Sequence, residues 1–133
     1  MANRADSLIA WMFGNRWRAT HAPAAAATLV LASPQPQSST ERVHLETMFY
    51  SIANKNAGND FTVTVSIRNA SAAGTVLASL DELVLASQTA KVSMSAMAFP
   101  GKDGQALAIT MDTVLASVKA TCNIAGWIES KNG

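Results

Sequence analysis

The chain is poor in charged residues. Only 14% of its 133 residues are Asp, Glu, Lys or Arg, whereas an ordinary soluble domain has about 25%. Ten basic and nine acidic residues give a formal net charge of +1, so the long-range field of a general nucleic-acid binder is missing. Hydrophobic residues make up 49% of the chain, which excludes an intrinsically disordered protein, because disorder requires low hydrophobicity with high net charge. The length indicates one domain.

Cysteine and long apolar runs are scarce too. Cys122 is the single cysteine, so no intrachain disulfide is expected. Its place in an alternating segment predicts an inert, buried thiol. No apolar run approaches the roughly 18 residues that a membrane-spanning helix requires, and the apolar segment Leu8–Phe13 is too short for a signal peptide. The sequence therefore predicts a protein made in a cytosol, with no transmembrane segment.

A period of two dominates the chain from about residue 24 onward. In residues 61–68 the odd-numbered positions are apolar and the even-numbered ones polar, which is typical of a half-buried strand. Similar patterns predict about eight strands in all, the others at 26–32, 43–53, 75–80, 83–86, 92–98, 107–111 and 118–128. Such strands, separated by turn residues, predict an all-β sandwich or barrel.

Proline, glycine and asparagine clusters mark the connections. They predict loops at 33–40, 54–60 and 69–74, and a turn at Pro100–Gly104. Residues 105–118 have two interpretations, because their apolar residues also recur at helical spacing. Their β-branched residues favour strands over a helix.

Residues 1–22 form a separate zone by composition, and residues 23–133 form the single predicted domain. Aromatic and basic residues concentrate in this N-terminal zone, which predicts an arm or short helix outside the strand pattern. Aromatic residues and arginine are enriched at protein interfaces. The few arginines of this zone would neutralise few phosphates of a nucleic acid, so a protein interface is favoured over nucleic-acid binding. The candidate interface residues are Trp11, Phe13, Arg16, Trp17 and Arg18.

No residue pattern in the chain predicts catalysis. The two histidines, His21 and His44, do not lie at a metal-ligand spacing from Cys122 or from a carboxylate pair, and His44 is expected to form a solvated pair with Glu46. Neither a nucleophile elbow nor a phosphate-binding glycine loop occurs. We therefore expect a non-enzymatic protein without cofactor or metal.

The outward positions of the predicted strands are mostly Ser, Thr and Asn. An ordinary β protein protects its edge strands with charged residues, lysine above all, and this chain places few charges there. Such a surface can be covered by other proteins without burying unpaired charges, which is costly. The sequence therefore predicts an obligate assembly with ring or lattice symmetry.

The order of the β segments between residues 43 and 129 carries a family likeness. It runs through Asn59–Asn69, a late Phe99–Gly101 turn, a Leu107–Ile109 strand and a closing Ile124–Glu129 strand. This order resembles the small jelly-roll structural proteins of tailed-phage virions, which are head-decoration (cement) or fibre-type modules. The resemblance implies a jelly-roll β-sandwich that assembles as a homotrimer or a similarly symmetric oligomer. It also implies binding to a major capsid protein on the capsid surface of the virion, head stabilisation, and no catalytic residues.

Two other functions remain open at this point. One is a carbohydrate- or receptor-binding jelly-roll module of a fibre or surface assembly, in which Trp127 and Tyr50 would form a sugar platform. The other is an enzyme of a β-barrel class with a pocket near His44.

Overall fold

The described part of the chain consists of β-strands and the loops that join them. A computed structural model describes residues 15–21, 29–111 and 117–130. These ranges contain no helix; their strands are β1 (Arg16–His21), β2 (Leu29–Ala32), β3 (Glu41–Asn54), β4 (Phe61–Asn69), β5 (Val76–Val84), β6 (Thr89–Met94), β7 (Phe99–Asp103), β8 (Leu107–Met111) and β9 (Val118–Ser130). The prediction of an all-β protein is confirmed.

The strands form two antiparallel sheets. The larger sheet has the order β1-β9-β3-β6, with β7 pairing with β3 beside β6, and the smaller one has the order β2-β8-β4-β5. The hydrogen-bonded pairs β1–β9, β2–β8, β3–β6 and β4–β5 nest inside one another along the chain. The chain is thus one long hairpin, with its tip between β4 and β5, rolled into a two-layer sandwich. This is the jelly-roll arrangement of paired Greek keys.

The core lies between the two sheets and follows the predicted alternation. In β4, Val63, Val65 and Ile67 are buried as expected. Every residue of β8 is buried, because this strand lies inside the smaller sheet between β2 and β4. The strand interpretation of residues 105–118 is therefore confirmed for Leu107–Met111, while residues 112–116 lie outside the described ranges.

The predicted turn at Pro100–Gly104 is mostly a strand. Phe99–Asp103 forms β7, which pairs with the first part of β3, and the turn falls at its end, where Gly104 has a φ of +71°. A proline is tolerated here because β7 pairs with one described strand only, and an edge strand has one side that needs no donors.

The N-terminal boundary of the domain also differs from the prediction. Arg16–His21, which the sequence places in an arm or short helix, forms β1 and pairs along its full length with β9. Alternation explains this, since Trp17 faces inward between outward-facing arginines. The jelly roll therefore includes part of the predicted arm, whereas residues 1–14 lie outside the described residues.

Candidate interaction surfaces

Three of the predicted interface residues lie on β1, which distributes them over its two faces. Arg16 and Arg18 are exposed, whereas Trp17 belongs to the core cluster and keeps only 8% of its surface accessible. Trp17 is thus a core residue of its own subunit, which corrects its prediction as an anchor on a neighbour. Trp11 and Phe13 lie outside the described residues.

The burial of Trp17 depends on a glycine in the neighbouring strand. Gly126 is its register partner on β9. A Cβ atom at Gly126 would lie 1.8 Å from the His44 carbonyl oxygen and 3.0 Å from Cζ2 of Trp17. Beside this glycine, β3 bulges between Leu45 and Thr47. Only a residue without a side chain lets β3 and the indole approach β9 this closely.

His44 lies on the outer face of the larger sheet, with a partner different from the expected one. Its Nε2 is 2.5 Å from Oε2 of Glu129, and its ring stacks on Trp127 with the centroids 4.7 Å apart. Glu46 instead accepts a hydrogen bond of 2.6 Å from Arg16. The β3 bulge explains the change, because it interrupts the two-residue period between His44 and Glu46.

The sugar platform expected from Trp127 and Tyr50 is not formed. Tyr50 is fully buried, and its hydroxyl donates a hydrogen bond of 3.1 Å to Oε2 of Glu82 on the opposite sheet. Burial, together with the negative charge of Glu82, raises the pKa of the Tyr50 phenol above its ordinary value. Trp127 faces outward, and His44 covers one side of its ring. The two aromatic residues therefore lie on opposite faces of the sheet.

A shallow depression on the outer face of the larger sheet offers a different polar and aromatic site. Its volume is about 420 Å³, and its lining residues are Arg18, Thr20, Thr47, Phe49, Asn123, Ile124 and Ala125. Phe49 has 40% of its surface exposed, because it points away from the core that its neighbours Met48 and Tyr50 enter. The depression thus combines an aromatic ring with guanidinium, amide and hydroxyl groups.

The Cys122 thiol is inaccessible. It lies in the core cluster with 1% of its surface exposed, and burial raises its pKa to about 12. Because the thiolate is the reactive form of cysteine, this thiol is inert near neutral pH. The prediction of a buried thiol is confirmed.

The described residues contain neither a metal-ligand cluster nor a membrane-spanning helix. Within residues 15–21, 29–111 and 117–130, no three His, Cys, Asp or Glu side chains group in a way that would hold a metal ion. The same residues include no helix long and apolar enough to span a membrane.

The sandwich is open along the side where β5 faces β6 and β7. A cleft of about 170 Å³ lies there, and its lining residues are Met48, Val65, Ile67, Ala78, Ser79, Leu80, Met94, Met97 and Phe99. Apart from the Ser79 hydroxyl, the side chains of this lining are apolar. Leu80 belongs to the inward-facing row of β5, opposite Val65, yet 37% of its surface is exposed. The apolar interior therefore reaches solvent at this edge.

Strand β5, which carries Leu80 of the cleft lining, and the residue after it have further exposed apolar side chains. Val76, Leu80, Leu83 and Leu85 are all exposed, Leu83 by 57%. Contiguous exposed apolar surface on a soluble protein marks an interaction site. We call the cleft and these four residues the open-edge surface; it is the strongest candidate interface among the described residues.

The open-edge surface was not predicted from the sequence. Leu80 and Met94 occupy inward positions of alternating segments, and such a pattern specifies a face without specifying whether the opposite sheet covers it. The signal that was present is the row of leucines at 80, 83 and 85, which departs from strict alternation.

Comparisons with known proteins identify no family for this chain. No protein-family model matches it, and no curated protein does. A solved structure of Bacillus endospore appendages, described as a novel family of disulfide-linked pili, is 12% identical, with 85% of this chain and 84% of that chain covered and a TM-score of 0.36. The coat protein of Tobacco streak virus is 8% identical, with 90% of each chain covered and a TM-score of 0.37.

Proposed function

We propose that this chain is a non-enzymatic structural protein of a virion. It assembles as a symmetric homo-oligomer, with a trimer favoured, and stabilises the head as a capsid decoration or cement protein. The open-edge surface is the observation that carries this proposal. Exposed apolar patches of this kind mark sites of protein–protein interaction, and the cores of subunit interfaces are apolar in the same way.

The polar surface of the larger sheet supports the same function. Besides charged residues such as Glu46, Lys119 and Glu129, outward positions of β3 and β9 carry small neutral groups, such as the Ser51 and Thr121 hydroxyls, which hydrogen bond to each other across the strands at 3.0 Å. A partner can cover such groups without desolvating a charge. This is the property expected of a subunit that is enclosed by neighbours on several sides.

Two side chains support the non-enzymatic part of the proposal. The Cys122 thiol stays protonated near neutral pH because burial raises its pKa to about 12, so it is a poor nucleophile. The His44 ring is held by Glu129 on one side and by Trp127 on another. His44 therefore acts as a packing residue of the outer face.

Two measurements test the proposal. Light scattering on the purified chain at micromolar concentration should give a discrete oligomer, and a strict monomer would contradict the assembly. Immunogold labelling of particles released by cells that carry the gene should decorate the outside of intact virions. Label that stays in the soluble fraction, with bare particles, would contradict the virion location.

The depression around Phe49 favours carbohydrate binding as a second candidate function. An exposed aromatic ring beside Arg18 and Asn123 provides both a stacking surface and hydrogen-bonding groups for a sugar. A glycan array should then show specific binding that Phe49→Ala abolishes, while Thr62→Ala, an exposed position on the other sheet, leaves it unchanged. Absence of specific binding on the array would reject this candidate.

A further inference from the structure

We propose that residues 8–13 of one copy dock into the open-edge cleft of a neighbouring copy and so link the subunits head to tail. The inference rests on the proposed function, because it names the two parts of the subunits that meet in the assembly. It also gives Trp11 and Phe13 a defined binding partner.

The occupant is chosen by its chemistry. Residues 8–13 read Leu-Ile-Ala-Trp-Met-Phe, six apolar residues without a charge, and such a segment gains free energy when it leaves water. The cleft is apolar and has a volume of about 170 Å³. An apolar cavity of about 150 Å³ is large enough to bind benzene, so the cleft fits one aromatic ring of this segment.

The backbone beside the cleft also suits an extended segment. Strand β5 ends the smaller sheet, with β4 as its hydrogen-bonded neighbour on one side. The other side of an edge strand offers unpaired N–H and C=O groups, to which an added strand can bind. In an extended segment, alternate side chains such as those of Trp11 and Phe13 point to the same face, and the Phe13 ring enters the cleft.

The Phe13 ring that enters the cleft must come from a second copy, because Phe13 lies too close to β1 of its own copy. The backbone up to Asn15 belongs to the β1 edge, where the Ile128 N–H donates to the Asn15 carbonyl oxygen at 2.9 Å. Only Gly14 separates Phe13 from Asn15, and two such steps span at most about 7 Å. Strands β1 and β6 lie three strand spacings apart in the sheet, which is about 14 Å. Phe13 therefore cannot reach its own cleft.

The two parts of the contact lie on opposite edges of the subunit. A contact between an arm on one edge and a cleft on the other is heterologous, and repetition of it gives a ring if the rotation closes and a filament if it does not. This geometry agrees with the ring symmetry of the proposed oligomer.

Cysteine cross-linking between two variants tests the contact directly. Ala10→Cys places a thiol within the segment and keeps its aromatic residues, and Ser79→Cys places one in the lining of the cleft. The native Cys122 is too buried to interfere. When the two single variants are mixed under mild oxidation, a disulfide-linked heterodimer should form. The matched control replaces Ser79→Cys with Thr62→Cys, which is exposed on the neighbouring strand β4 and should cross-link at least ten-fold less.

The outcomes separate this inference from the proposed function. If the wild-type chain is monomeric, the proposed assembly fails and this contact fails with it. If the chain assembles but the Ser79→Cys mixture cross-links no more than the Thr62→Cys control, only the arm contact is rejected. A double variant, Ala10→Cys with Ser79→Cys, that yields only a bridged monomer would overturn the assignment to a neighbouring copy.

A second measurement does not depend on cross-linking. Light scattering of Trp11→Ser combined with Phe13→Ser should show loss of the oligomer, while Asp6→Ser, a polar change just before the segment, should keep it. Both changes precede the jelly roll, so its fold and circular dichroism spectrum should be unchanged. An intact oligomer in the double variant would overturn the proposal.

Discussion

The two lateral edges of the sandwich are closed to different extents. At one edge β1 contacts β2, and Trp17 and Leu31 are buried there, at 8% and 7% exposure. At the other edge β5 faces β6 and β7 across the cleft, and Leu80 remains 37% exposed although it points inward. One edge completes the core of the subunit, and the other leaves core surface for a partner.

Side-chain size explains much of the difference. The closed edge has an indole on β1, whereas two of the three β5 residues at the cleft, Ala78 and Ser79, are small. Small residues at an edge strand leave the gap between the sheets unfilled. The comparison therefore predicts that substitutions at the closed edge affect stability, while those at the open edge mainly affect association.

The largest effect is expected for Trp17→Ala. Removal of a buried aromatic side chain costs about 3–5 kcal/mol of unfolding free energy, because the cavity left behind collapses only in part. Urea denaturation at fixed protein concentration measures the loss. The neighbouring change Arg18→Ala, on the exposed face, should stay within about 0.5 kcal/mol. A loss below about 1 kcal/mol for Trp17→Ala would place this residue outside the core.

Alkaline pH should destabilise the protein through Cys122. An unfolded thiol has a pKa of about 8.5, and burial raises the pKa of Cys122 to about 12 in the folded chain. Above about pH 8.5 the unfolded state releases a proton that the folded state keeps, so up to about 1.4 kcal/mol of stability is lost per pH unit until the folded thiol ionises. Below about pH 8.5 this contribution is fully present.

Denaturation of Cys122→Ala over the same pH range isolates this contribution. Its stability should fall less steeply with rising pH than that of the wild type, although Tyr50, whose pKa is also raised, adds to the fall above about pH 10 in both. Parallel slopes in the two proteins would contradict the burial of the thiol.

Two methionines allow a direct comparison of the core with the open edge. Met111 is fully buried, whereas Met94 lines the cleft and is half-buried. Met94→Ala should cost about 1 kcal/mol, in proportion to the smaller area that it buries, while Met111→Ala should cost about 2–5 kcal/mol. Equal losses in urea denaturation, at a concentration where the chain is dissociated, would mean that the cleft is closed within the single subunit.

The smallest effect is expected for the ion pair between Arg16 and Glu46. The two side chains are 41% and 27% exposed, and such surface pairs contribute about 0–1 kcal/mol. A double-mutant cycle of Arg16→Gln and Glu46→Gln measures the coupling energy independently of other contacts of Arg16. A coupling above about 2 kcal/mol would show that the outer face contributes more to stability than the comparison allows.

The sequence predicted best the strands that lie inside the sheets. Strand β8 matches its prediction at both ends, and β4 extends it by one residue, to Asn69. Both strands have hydrogen-bonded neighbours on each side and their inward residues are buried, so alternation alone specifies the face. Loops 33–40 and 54–60 were predicted for a similar local reason, since proline and asparagine favour turns.

The strands and sites at the edges were predicted less well, because non-local contacts determine them. Strand β6 stops at Met94, before the predicted end at residue 98, and Ala96 has a positive φ of 55°, which a sequence pattern does not reveal. Trp17 looked like an interface residue because the sequence does not show that Gly126 makes room for it. The cleft likewise depends on how two distant strands face each other.

The pairing of β1 with β9 has a consequence for the speed of folding. Trp17 pairs with Gly126, so the first described strand finds its partner only after almost the whole chain has been synthesised. Nested pairs of this kind give a high contact order, and all-β domains with high contact order fold in milliseconds to seconds, far more slowly than helical bundles. Until β9 arrives, the inward face of β1 stays exposed to aggregation, which makes rapid completion of the C-terminal strand the step that protects the new chain.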